Sequence, residues 1–133
     1  MGVALALDTK QDLEKVDYEA LALTPADKEA HINQLNTLIA FFFMRGLDYF
    51  GGMPLFESLD IEAPPRNTDQ ETFDHVEKLL KDALDKIPAK TAGQKEEGAI
   101  SKAAVAALLA RLYFNAEAYT GQARFGDAAI LCQ

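Results

Sequence analysis

Few residues in this sequence could do covalent or metal chemistry. His31 and His75 stand far apart. Neither belongs to a His-x-x-x-His or Glu-x-x-His spacing, the arrangement that sets two metal ligands on one face of a helix. Asp74 and Glu77 share a helical face, as many solvated acids do, and Glu96-Glu97 is a charge pair in a polar stretch. Glycoside hydrolysis needs two carboxyls facing each other across a substrate, one kept protonated by its surroundings. No spacing here places two acids in that way. Gly51-Gly52 lacks the following Gly-Lys-Ser/Thr of a phosphate loop. Cys132 is the one cysteine, which excludes an internal disulfide and a thiolate cluster, and it is expected to be a small buried hydrophobe. No catalytic residue, metal or cofactor is expected, and the chain reads as a binder.

Non-covalent recognition has better candidates. Asp48, Tyr49, Phe50 and Met53 crowd one short stretch. A pyranose ring has an apolar C–H face and a polar rim, so aromatic side chains edged by hydrogen-bonding groups suit it. A helix end can display such a group. The commoner role of a Tyr and a Phe at such a place is to close the core between paired helices. Arg66 could hold an anionic ligand or bridge to an acid on a neighbouring helix. Arg111 stands on an otherwise apolar helix, needs a carboxylate or carbonyl partner, and is read as structural.

The elements that must position these residues are helices. The chain has 133 residues, enough for one domain with a core, and a formal charge of −8. That charge offers no attraction to nucleic acid or to an anionic membrane face. Met1–Leu7 is apolar but too short for a signal-peptide core, has no basic residues before it, and meets Asp8 at once. Ala6 stands where myristoylation requires Ser or Thr. The segment is expected to pack on the core as a helix start or a strand. No stretch is long enough to span a membrane.

Residues 8–23 predict a short helix. Thr24-Pro25-Ala26-Asp27 is a helix start, with a capping hydroxyl, a proline suited to the first turn and an acid near free amides. The helix it opens runs to about Tyr49. Its stripe is Ile32, Leu35, Leu38, Ile39, Phe42, Phe43, Gly46, Leu47 and Phe50, widened by Phe41 and Met44. Its second half should be largely buried. Gly51-Gly52-Met53-Pro54 ends it. Thr68-Asp69-Gln70-Glu71 is a capping box. The helix behind it shows Phe73, Val76, Leu80, Ala83, Leu84 and Ile87 on one face and stops at Pro88. A polar, mobile connection follows over 89–98. Ser101 caps a helix that should occupy most of Ala99–Tyr119. It is apolar on nearly every side, so it should be buried on nearly every side. After Thr120-Gly121-Gln122 a last helix begins near Arg124, with Phe125, Ala128, Ala129, Leu131 and Cys132 as its buried face. A helix of that length is marginal alone.

Helix pairs at this spacing are the mark of tetratricopeptide (TPR) arrays. Leu109-Ala110-Arg111-Leu112-Tyr113 fits the first helix of such a repeat, and Ala128 would be the small residue of the second. The order of segments is more telling. A long aromatic helix leads into Phe50-Gly51-Gly52-Met53-Pro54-Leu55, and Arg66-Asn67-Thr68 opens a helix that ends Ile87-Pro88. Then Lys102-Ala103-Ala104 leads into Leu108-Leu109-Ala110-Arg111. Over about residues 24–133 this resembles the SusD/RagB family of outer-membrane nutrient-binding lipoproteins of Bacteroidetes. One departure is Gln34–Ala40, where the family's Glu-Ala-x-Phe-Leu-Arg-Ala is matched only at Leu38 and Ala40.

The resemblance implies an all-α fold, a right-handed TPR-like stack of antiparallel helix pairs forming one helical domain over residues 1–133. It implies that the chain is a fragment of a longer protein, several hundred residues in the family, which carries a lipoprotein signal and a lipidated cysteine. Contact with the membrane would be only through that lipid anchor, absent from this chain. The function implied is capture of an oligosaccharide or other glycan at the outer-membrane surface. The glycan is then passed to a SusC-like TonB-dependent porin, with no bond made or broken. In the family the helical scaffold lies against the transporter and loops supply most ligand contacts, so this fragment by itself need bind no sugar. The alternative is a cytoplasmic TPR-type adaptor for protein partners.

Overall fold

The computed structural model describes residues 2–59, 64–90, 93 and 98–133. Six helices follow one another: α1 (Gly2–Lys15), α2 (Pro25–Phe50), α3 (Asp69–Lys86), α4 (Lys102–Phe114), α5 (Ala116–Thr120) and α6 (Phe125–Leu131). No strand occurs among the described residues. An isolated bridge joins Pro54 to Arg66. Most of the expected connection at 89–98 lies outside the described residues.

Contacts between helix ends give the directions. Lys28 Nζ at the start of α2 donates to the Glu14 carbonyl at the end of α1, at 2.8 Å. Lys86 at the end of α3 pairs with Glu29 near the start of α2, at 3.3 Å. Phe73 near the start of α3 meets Tyr119 beyond α4, with ring centroids 6.4 Å apart. Phe114 at the end of α4 meets Phe125 at the start of α6, at 5.7 Å. The Lys86–Glu29 and Phe73–Tyr119 contacts make α2–α3 and α3–α4 antiparallel, and Gly2 at the start of α1 beside Phe42 late in α2 does the same for α1–α2. The core runs between them through Leu7, Phe43, Met44, Val76, Leu80, Val105, Leu112 and Tyr113. Leu109, Ala110 and Tyr113 are all buried, and Ala128 of α6 is buried with them.

The helix starts follow from local chemistry. At α2, the Asp27 amide donates to Thr24 Oγ1 at 3.2 Å and the Thr24 amide to Asp27 Oδ2 at 2.7 Å. Thr68 and Glu71 repeat the exchange at α3, with the same distances. Each box satisfies two amides that the first turn leaves without a helical partner. Ser101 Oγ accepts from the Ala104 amide at 3.2 Å and opens α4.

Four expectations fail for identifiable reasons. The first helix occupies Gly2–Lys15 rather than 8–23. Its apolar start packs on α2, with Gly2 so close to Phe42 that a Cβ there would lie 2.4 Å from the ring. Beyond Lys15 the Asp17 carboxylate takes the Ala20 amide at 3.0 Å, an alternative to continuing the helix. The second half of α2 is buried on one side only: Phe43, Met44 and Leu47 face the core, while Leu38, Phe41 and Phe42 are exposed. α4 is likewise covered on one side, by α3 and α6, and Ala103, Ala104, Ala107 and Phe114 face outward. It also ends early, at Asn115, whose Nδ2 donates to the Arg111 carbonyl at 2.9 Å. Of the buried face expected for the last helix only Ala128 is buried: Phe125 and Ala129 are exposed, and so is Cys132, because α6 ends at Leu131 and leaves it beyond the packed face.

Candidate functional site

The C-terminal end of α2 gathers four of the five sequence candidates and the segment that carries the fifth. Gly51 ends the helix with φ 73° and ψ −147°, a backbone that side chains resist. Gly52 follows in a space closed by backbone: a Cβ there would lie 2.0 Å from the Asn67 carbonyl oxygen. The Gly52 amide donates to Asp69 Oδ1 at 2.6 Å, and the Met53 amide to Thr72 Oγ1 at 2.9 Å. The end of α2 is thus stitched to the start of α3.

Arg66 sits at the centre of this turn. Its Nε donates to the Gly52 carbonyl at 2.8 Å and its Nη2 to the Phe50 carbonyl. The Phe50 carbonyl is one that the helix end leaves without an amide partner, and a cation is favoured there. Arg66 is a capping group of α2. Met53 lies against Gly46, filling the space a Cβ there would need.

Asp48 is tied to the next layer. Its Oδ2 accepts from Arg111 Nη2 at 3.0 Å and its Oδ1 from the Tyr119 hydroxyl. Arg111 so finds the carboxylate it needs, although the pair is partly solvated. Burial first, and then the Asp48 carboxylate, push the Tyr119 hydroxyl well above its ordinary range, which keeps it a donor. With both oxygens engaged, Asp48 holds α2 to α4 and α5.

Tyr49 and Phe50 are the surprise of the site. They are 65% and 70% exposed, and they close no core. They lie at the very end of α2, past the last turn that α3 and α4 cover. Their rings stand 6.1 Å apart at 58°. The Arg45 guanidinium lies over the Tyr49 ring at 4.8 Å and donates to its hydroxyl. The result is a solvent-facing pair of aromatic rings edged by a guanidinium. It offers stacking surface for an apolar face and donors for a polar rim.

Two members of this constellation escaped the sequence reading. Arg45 stands four residues before Tyr49, a spacing that puts them on one face and is visible in the sequence. Tyr119 joins Asp48 across 71 residues, and no local signal announces it. The two histidines are not brought together. His31 Nδ1 lies 3.2 Å from the Tyr18 hydroxyl, and His75 packs edge-on against Phe43 at 5.4 Å. No group of three metal-ligating side chains occurs among the described residues.

No family model and no curated protein matches this sequence. Solved structures do match it. A SusD-like protein from Bacteroides fragilis superposes on 98% of the chain with a TM-score of 0.78 at 20% identity. The chain has the SusD-like helical fold. A laminarin-binding SusD-like protein matches 96% of the chain with a TM-score of 0.74 at 17% identity. Surface glycan-binding protein A from Bacteroides uniformis covers 97% with a TM-score of 0.74 at 20% identity. The chain spans 25–28% of the length of these proteins. The SusD-like fold therefore accounts for the whole of this chain, while the chain accounts for about a quarter of each SusD-like neighbour.

Proposed function

We propose that this chain is the helical scaffold of a longer SusD-like protein that captures a glycan at the outer-membrane surface. One observation carries the reading: nearly every residue of the chain superposes on solved SusD-like proteins, among them one that binds laminarin. The captured oligosaccharide passes to a SusC-like TonB-dependent transporter, and the longer protein is held to the membrane by its lipid anchor. The mechanism is binding without bond cleavage. Of the five candidate residues, Tyr49 and Phe50 are the ones presented to a ligand, with Arg45 at their edge. Asp48, Met53 and Arg66 position them.

The test is a glycan array with the longer protein, paired with fractionation of the producing cells. Binding of a polysaccharide and recovery in the outer membrane are expected. Replacing both Tyr49 and Phe50 by Ala should weaken binding by about tenfold, the loss that removing an aromatic contact commonly brings. A cytosolic protein that binds no glycan would sink the proposal.

A second reading, a TPR-type adaptor, has one observation in its favour. An open apolar groove of about 560 Å³ lies between α2 and α4, lined by Leu38, Phe41, Ile100, Ala104, Ala107 and Leu108. Repeat scaffolds commonly use such surfaces to meet proteins. Cytosolic recovery together with specific capture of a protein partner would favour it over the glycan reading.

A further inference from the structure

The groove between α2 and α4 is almost wholly apolar. Leu38 and Phe41 of α2 and Ala104 and Ala107 of α4 line it, and all four are exposed. It does not stop at Leu38. An adjoining recess of about 450 Å³ shares Leu38 and Ile100 with it and adds Leu13, Gln34 and Leu35. From His31 in the recess to Phe41 in the groove, α2 rises about 15 Å, the length of about ten residues of helix. Ala104 and Ala107 stand one turn apart on α4. Their small side chains leave a hollow beside Leu108 and Phe41 into which the ridge of another helix can pack.

The lining decides what can lie there. Its polar members are already engaged: Thr37 Oγ1 donates to the Asn33 carbonyl at 2.8 Å, and Arg111 pairs with Asp48 at 3.0 Å. An extended segment laid in the groove would bury backbone amides and carbonyls with almost nothing to bond them, which is costly. A helix bonds its own backbone and brings only side chains. The groove therefore suits one face of a helix, apolar at every third and fourth position.

Length and charge decide where that helix comes from. Contiguous apolar surface of this kind is uncommon on a protein that stands alone. Two copies meeting face to face would bring together chains of formal charge −8 each, which repel. A tethered segment of the same polypeptide acts at an effective concentration of up to about millimolar, which a foreign peptide seldom reaches. The longer protein has chain to supply it, since these 133 residues match about a quarter of each SusD-like neighbour.

We propose that the groove between α2 and α4 is an internal interface of the longer protein, filled by one amphipathic helix of about three turns from outside residues 1–133. The inference rests on the reading of this chain as part of a longer SusD-like protein. It takes the groove away from the adaptor reading, because a foreign partner would find it occupied.

The test uses the purified longer protein carrying Ala107→Cys, with Ala104→Cys in its place if the first does not fold. Both changes are small and on the outward side of α4. A thiol reagent is applied in buffer and in urea, and modification of that peptide is read by mass spectrometry. A filled groove should slow modification at least about tenfold relative to urea. Ala107→Lys, which sets a charge against the occupant, should quicken hydrogen exchange in one helical segment outside residues 1–133 and leave α2 and α3 protected. Less than about tenfold slowing overturns the proposal. So does protection that fades on dilution, which assigns the groove to a second copy, and so does Ala107→Lys loosening no helix outside these residues. Glycan binding and outer-membrane recovery of a longer protein whose groove modifies freely would remove the inference and leave the function standing. Protection in a cytosolic protein that binds no glycan would keep the groove filled and remove the function.

Discussion

At the scale of single residues, the junction of α2 and α3 is the least forgiving place. Gly52 has no room for a side chain, because the obstacle is the Asn67 carbonyl and not a movable side-chain tip. Gly52→Ala should cost about 1–3 kcal/mol, as overpacking commonly does, and lower the urea midpoint. Gly126 in α6 has open space where a Cβ would go, so Gly126→Ala should be neutral or slightly stabilising in the same assay. Thr72 makes a sharper case. It is fully buried, its Oγ1 accepts from the Met53 amide at 2.9 Å, and it donates to the Thr68 carbonyl at 2.9 Å. Thr72→Val keeps the shape and removes both bonds. Leaving the Met53 amide without an acceptor should cost about 1–3 kcal/mol by chemical denaturation. An unchanged midpoint would mean that water replaces the hydroxyl. The sequence marks Gly52 as part of a helix end but not the Asn67 carbonyl that closes the space around it, and it gives no sign of Thr72, whose importance comes from a backbone amide brought in from elsewhere in the chain.

At the scale of elements, the helix starts were legible because they are written within four residues. Thr68 with Glu71 forms the box that the spacing predicts, and Thr24, expected as a cap with Asp27 near the free amides, forms a full box with Asp27. Thr68→Ala should lower stability by about 1 kcal/mol, measured as a shift in the denaturation midpoint at neutral pH. What the stripes could not say is which side has a neighbour. α4 is apolar all round, but only the side against α3 and α6 is covered, so Ala104 and Ala107 line a groove and Phe114 meets water. α2 shows the same limit at Tyr49 and Phe50, whose i, i+3, i+4 spacing from Gly46 continues the stripe past the point where partners end. Asn36 is the opposite case. It falls on the face of Ile32, Ile39 and Phe43, where an amide among hydrophobes is a signal in plain view.

At the scale of the whole molecule, one carboxylate links three helices. Glu77 Oε1 on α3 accepts from Lys81 Nζ at 2.7 Å, from the Tyr113 hydroxyl of α4 at 2.7 Å, and from Arg124 Nη2 at 3.3 Å. Arg124 stands at the N-cap of α6, lies over the Tyr113 ring at 4.3 Å, and donates through Nε to Asp127. α6 is too short to persist by its own propensity, so this cluster and the burial of Ala128 hold it in place. Burial alone would raise the Glu77 carboxyl. Lys81, Tyr113 and Arg124 outweigh it and hold the group below its ordinary 4.5. The folded chain therefore releases this proton more readily than the unfolded chain does. The stabilisation is present above about pH 4.5 and is lost as pH falls through the depressed folded value. Glu77→Gln should remove this part of the acid dependence and leave a flatter stability curve below pH 4.5. Because the same change loosens the hold on Arg124, hydrogen exchange should quicken in α6 first and leave α2 and α3 protected. Equal protection of α6 in both proteins would mean that Ala128 packing, and not the carboxylate, fixes the last helix.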